Sequence, residues 1–97
     1  MIRQFRDARA KVLFGGEIPA GLPPGILRKA QLLLAQLHAA TLLSDMSSPP
    51  GNRLHRLKGA RSEQHAVWIN EKWRLVFKWA KEGTTEVEIT DYHDDKF

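Results

Sequence analysis

Trp73-Arg74-Leu75-Val76-Phe77-Lys78-Trp79 is the stretch that decides the fold. Trp73, Leu75, Phe77 and Trp79 alternate with Arg74, Val76 and Lys78, the period of two of a β-strand with one face in the core and the other partly wet. On its N-terminal side residues 67–69, Val67-Trp68-Ile69, read as a strand that turns through Asn70-Glu71-Lys72. On its C-terminal side a loop around Glu82-Gly83-Thr84 leads to a strand over residues 86–92, in which Val87 and Ile89 continue the core face. If the last two strands form a hairpin, Phe77 pairs near Ile89 or Val87. The first register places Arg74 across from Tyr92 and Trp73 across from His93, and the second offsets each pair by two residues.

The first half of the chain reads differently. Residues 1–5 suit a short strand. Asp7 is placed to cap a helix through Phe14, which Gly15-Gly16 ends because glycine takes the left-handed conformation at little cost. Residues 18–25 carry three prolines and two glycines and read as a loop. Pro23-Pro24 suits a helix start. The helix expected over residues 24–43 places Ile26, Leu27, Ala30, Leu33, Leu34 and Leu37 on one face. Leu32 projects away from that stripe, and partial cover by the N-terminal helix is its expected surrounding. Residues 44–52, with two serines, two prolines and a glycine after Met46, form a loop rather than a domain boundary.

The chain has 97 residues, the size of one domain spanning 1–97, and with 42% apolar and 27% charged residues it is ordinary globular material. Absence of cysteine excludes a disulfide framework and a thiolate zinc site, and fits a cytoplasmic protein. No apolar run is long enough to span a bilayer, and Arg3, Arg6, Arg9 and Lys11 interrupt any signal-peptide core, so no membrane partner is expected. The formal charge is +4 and the pI about 9.8. A basic balance favours a polyanionic partner, because phosphate neutralisation supplies most sequence-independent affinity for nucleic acid. Arg53, Arg56, Lys58 and Arg61 fall within nine residues, whereas Asp91, Asp94 and Asp95 cluster at the C-terminus.

Those cations come with histidines. Cleaving RNA through its own 2′-hydroxyl needs a base for the 2′-proton, an acid for the departing 5′-oxygen, and cations for the charge that builds on phosphorus. Histidine serves either proton-transfer role because its ordinary pKa lies near working pH. Arginine offers a fork to phosphate oxygens and lysine a point charge. His55 and His93 are therefore the candidate proton carriers, with Asp91 to orient a histidine and Tyr92 to stack on a base or bond near the leaving group. Arg53, Arg56, Lys58 and Arg74 are the candidate phosphate and RNA contacts. His38 and His65 lack motif partners and read as structural or surface residues. Trp68, Trp73 and Trp79 read as core rather than as platforms for bases. The histidines lack metal-ligand spacing and no glycine-rich phosphate loop opens a helix, so neither a metal nor another cofactor is expected.

Arg53-Leu54-His55-Arg56-Leu57-Lys58-Gly59, Trp68-Ile69-Asn70-Glu71-Lys72-Trp73-Arg74-Leu75-Val76-Phe77 and Asp91-Tyr92-His93 together resemble the HigB toxins, the killer-protein branch of the RelE/ParE superfamily. Ile2-Arg3-Gln4-Phe5-Arg6, the leucine-rich helix and the loop around Met46 match in order and spacing, so the resemblance covers nearly the whole chain. It implies an α+β, RelE-like fold with N-terminal helices packed on a small antiparallel sheet. It also implies a type II toxin–antitoxin toxin, a ribosome-dependent endoribonuclease that cuts messenger RNA in the A site and inhibits translation. The implied partners are a HigA-like helix-turn-helix antitoxin, mRNA on the ribosome with 16S rRNA contacts, and operator DNA only through the antitoxin. The family's active-site residues map onto His55, Lys58, Arg74, Asp91, Tyr92 and His93. The chain departs from the pattern in its acidic Asp94-Asp95-Lys96-Phe97 tail and in Ala60, where an acidic residue is frequent. Two other readings are a ParE-like gyrase inhibitor, against which His55 and His93 argue, and a non-catalytic RNA-binding regulatory domain.

Overall fold

The computed structural model describes residues 1–91; Tyr92 and His93 lie outside the described residues. Two helices, α1 (Ala8–Phe14) and α2 (Leu27–Ala39), precede four strands, β1 (His55–Arg56), β2 (Gln64–Trp68), β3 (Arg74–Lys78) and β4 (Thr85–Thr90). The strands form one antiparallel sheet in the order β1-β2-β3-β4. The expected α+β arrangement, helices on a small antiparallel sheet, is what the chain adopts.

α1 starts where its local chemistry says it should. The Asp7 carboxylate accepts from the Arg9 backbone N–H, and the chain leaves the helix through Gly15 into Gly16 at φ +91°. Asp7 also accepts from the Ile89 backbone N–H at 3.1 Å, while Arg9 donates to the Ile89 carbonyl at 2.8 Å. The cap therefore also fastens α1 to β4. Residues 1–5 form no full strand: Ile2 and Phe5 make single parallel bridges to Thr84 and Val87. That pairing still covers the outer edge of β4. At its start Gly83 adopts φ +152°, and a Cβ there would collide with the Arg3 side chain.

α2 opens with a 3₁₀ turn at Pro24–Ile26 and buries Ala30, Leu33, Leu34 and Leu37. It ends at Ala39, not at Leu43, because Asp45 competes for the next backbone groups. Its carboxylate accepts from the N–H of Thr41 at 3.0 Å and of Leu42 at 3.1 Å, which fixes a separate 3₁₀ turn at Leu43–Ser47. Those backbone bonds hold the Asp45 pKa below its ordinary 3.8. Leu32 is 63% exposed, so α1 does not cover it.

The core lies between the helices and one face of the sheet. Val67, Leu75, Phe77, Val87 and Ile89 join Leu13, Ile26, Leu33, Leu34 and Leu37, with Trp73 and Trp79 packed at its margin. Leu75 pairs with Ile89 and Arg74 with Thr90, the second of the two registers expected. A bulge shifts the pairing between Val76 and Lys78, where Glu86 takes φ +54°. The opposite face is partly wet: Trp68, Lys78, Glu88 and Thr90 are half-buried, while Ala66, Val76 and Leu57 form a second small cluster and Arg74 is fully buried.

Candidate functional site

β1 is only two residues long, and the loop behind it sets its position. Lys58 precedes Gly59, which turns at φ +67°, and a 3₁₀ turn at Gly59–Arg61 returns the chain towards β2. The Leu57 N–H donates to the Gln64 carbonyl at 2.9 Å, and its buried side chain anchors the loop on Ala66 and Val76. The basic segment is thus tied to the sheet face that the helices leave uncovered.

The register then puts several candidate residues in rows across that face. His55 pairs with Ala66, Ala66 with Val76 and Val76 with Glu88. One row further, Trp68 pairs with Arg74 and Arg74 with Thr90. Arg53, two residues before His55, comes alongside Trp68, because antiparallel partners move in opposite directions along the two chains. The contacts agree: the Arg53 guanidinium carbon lies 4.0 Å and that of Arg74 4.2 Å from the centre of the Trp68 ring. Arriving from strands on opposite sides, the two guanidinium groups hold the indole between them.

Arg74 is 0% exposed. Its Nη1 donates to the carbonyls of Asn70 at 2.7 Å, Glu71 at 3.0 Å and Trp73 at 3.3 Å, so it braces the β2–β3 turn. Its Nε and Nη2 are buried without a hydrogen-bond partner among the described residues. As placed, its fork is withdrawn from solvent. Asn70 completes the turn by accepting from the N–H groups of Lys72 and Trp73, both at 2.8 Å.

His55 is half-buried, and its Nδ1 lies 2.7 Å from the Arg53 carbonyl oxygen. A carbonyl only accepts, so Nδ1 carries the proton and Nε2 is the nitrogen able to take one. Arg53 itself occupies the left-handed region, φ +51° and ψ +50°, a conformation uncommon for a residue with a Cβ. Arg56 alternates to the other face of β1, is exposed, and donates from Nε to the Ser62 carbonyl. Lys58 is exposed at the start of its turn. Asp91, exposed beyond the end of β4, has Lys72 Nζ at 3.7 Å. The structure therefore gathers Arg53, His55, Arg74 and the end of β4 at one end of the sheet, with Arg56 on the other face of β1 and Lys58 on the flanking loop.

Three residues escaped the sequence reading. Trp68 was expected in the core but is on the uncovered face; alternation with the inward Val67 was the available signal. Arg61 and Glu88 pair across this face at 2.7 Å, with Arg6 at 3.7 Å from the same carboxylate. Glu88 thus takes Arg61 as its partner across the sheet. His38 accepts from the Ile2 N–H at 3.1 Å and packs on Phe14, a structural role. His65 stacks on Phe77 at the edge of the inner face, and burial, with Arg56 and His55 nearby, holds its pKa below 6.5. No three histidine or carboxylate side chains among the described residues converge as a metal ion would require. No helix among them is long and apolar enough to cross a membrane.

The fold and this end of the sheet define a RelE-like α+β protein with a histidine set among cations. Residues 3–94 match the family described as HigB-like toxin, the RelE-like toxin of the type II toxin–antitoxin system HigB, and the chain belongs to that family. It is 34% identical over 62 residues to Toxin HigB-1 of Vibrio cholerae serotype O1 (strain ATCC 39315 / El Tor Inaba N16961). The match takes in 64% of this chain and 61% of that relative's length.

Proposed function

We propose that this chain is the toxin of a type II toxin–antitoxin pair and cleaves messenger RNA on the ribosome. A HigA-like helix-turn-helix protein is its antitoxin, and the site of action is the cytoplasm. The observation that carries the nuclease reading is His55, whose Nδ1 lies 2.7 Å from the Arg53 carbonyl oxygen beside a strongly basic loop. Cleavage proceeds without a metal. A base removes the 2′-proton, the 2′-oxygen attacks phosphorus, and the P–O5′ bond breaks as an acid protonates the 5′-oxygen. The products are a 2′,3′-cyclic phosphate and a 5′-hydroxyl. His55 acts through Nε2 in one of the two proton transfers, and His93 is assigned the other. Lys58, Arg56 and Arg53 supply positive charge to the RNA backbone, and Asp91 and Tyr92 complete the site from the C-terminal side. Arg74 enters as the brace beneath Trp68.

The test is cleavage of one mRNA, free and on programmed ribosomes, by the purified protein. Cleavage requires the ribosome, because the ribosome orients the substrate and the isolated site does not. It persists when EDTA is added with enough magnesium kept on the ribosomes. The co-purified antitoxin suppresses it. Equal cutting of naked RNA would remove the ribosome from the account, and no cutting of either would leave gyrase inhibition or passive RNA binding as the activity.

A further inference from the structure

We infer that Trp68 and Arg53 are positioning residues for His55, and that a stacked chain of contacts selects the protonation form in which His55 acts. The inference deepens the nuclease reading and rests on it for its functional consequence, not for its structural content.

The chain of contacts begins at the β2–β3 turn. Carbonyls of Asn70, Glu71 and Trp73 fix the buried Arg74, whose guanidinium supports the Trp68 ring at 4.2 Å. The far side of that ring carries the Arg53 guanidinium at 4.0 Å. Arg53 is thereby held at both its side chain and its backbone, in a left-handed conformation that an unconstrained arginine seldom takes. The consequence falls on its carbonyl oxygen, which is turned to within 2.7 Å of His55 Nδ1. A neutral imidazole has two tautomers, and a carbonyl oxygen beside Nδ1 favours the one that donates from Nδ1. Here the Arg53 carbonyl specifies Nδ1–H, which gives Nε2 the lone pair.

This arrangement gives Trp68 a role and adds a second one to Arg53. Arg53 has its cationic head on an indole, and besides positive charge it contributes the direction of a carbonyl. Trp68 touches no substrate in this scheme; it converts the rigid turn at one end of β3 into a fixed conformation at the start of β1. A basic residue whose only task was to meet phosphate would need neither the left-handed backbone nor the stacked ring.

The experiment reads the tautomer directly, by long-range ¹H–¹⁵N correlation spectra of the His55 ring in the isolated protein at a pH where the ring is neutral. Wild type and Arg53→Lys, which keeps a cation for the ring, are expected to show Nδ1–H. Arg53→Val, whose branched side chain disfavours the left-handed backbone, and Trp68→Leu, which removes the stacking face, are expected to move His55 towards Nε2–H. An Nε2–H wild type, or a tautomer unchanged in both Arg53→Val and Trp68→Leu, overturns the inference. Should Trp68→Leu fail to fold, Arg53→Val decides alone, since Arg53 is exposed and outside the core. On programmed ribosomes, Trp68→Leu is expected to lower kcat about 100-fold with little change in KM, the cost of a misplaced catalytic group. Absence of cleavage by wild type would defeat the nuclease reading while leaving the spectroscopic result to stand or fall separately.

Discussion

On the inner face of the sheet Val67, Leu75, Phe77, Val87 and Ile89 join both helices in one apolar core, whereas on the outer face Ala66 and Val76 share the surface with His55, Trp68, Arg74 and Glu88. The same strands build both. Inward positions follow the ordinary rule that burial of hydrocarbon stabilises, and any residue set of similar volume would serve. The outward positions break that rule. Arg74 is fully buried with three carbonyls and an indole as partners but no carboxylate among the described residues. A buried cation held that way is costly to desolvate, and folds retain such arrangements where a local geometry has to be specified. The difference between the faces is therefore one of purpose: the inner face supplies stability and the outer face spends part of it on placing side chains.

The comparison can be broken most sharply by truncating one residue on each face. Phe77→Ala, on the inner face, is expected to lower unfolding free energy by about 3–5 kcal/mol in urea titrations. Arg74→Ala, on the outer face, is expected to cost about 2–4 kcal/mol, because a cavity opens and turn carbonyls lose their donor. Arg74→Met, which refills the volume without the charge, should recover at least half of that loss. If Arg74→Ala were as stable as wild type, the outer face would be decoration rather than a brace.

The smallest expected effect is a pH dependence from His65, where the two faces meet. Burial holds its folded pKa below the ordinary 6.5, so the unfolded chain binds the proton more readily. The stability linked to His65 is therefore fully present above 6.5 and is lost as pH falls through that value towards the lowered folded pKa. Comparing urea midpoints between about pH 8 and about pH 5 should show a shallower decline in His65→Gln than in wild type. Parallel declines would place the acid sensitivity elsewhere.

Local signals in the sequence were the legible ones. Asp7 and Gly15-Gly16 bracket α1 because caps act within a few residues, and the alternation from Trp73 to Trp79 shows which face of β3 turns inward. The helix after Pro24 was expected to run four residues too far, since Asp45 captures the N–H groups of Thr41 and Leu42 from beyond its end. His55, Lys58 and Arg74 were visible as residue types suited to phosphate chemistry, but their relations were not. That Arg74 lies beneath a tryptophan, and that Arg53 turns its carbonyl on His55, depend on pairing three strands in one register. The bulge at Glu86 and the two-residue choice between hairpin registers are tertiary outcomes that no local pattern contains.

The most direct test of the account is primer-extension mapping of a defined mRNA on programmed ribosomes with wild type and His55→Ala. His55 is half-buried on a short edge strand, so its truncation is expected to leave the fold and ribosome binding intact. The account predicts discrete cuts within the A-site codon for wild type and their loss in His55→Ala at equal ribosome occupancy. Undiminished cuts in His55→Ala would contradict the assignment of His55 as a proton carrier, and no cuts from folded, ribosome-bound wild type would contradict the nuclease itself.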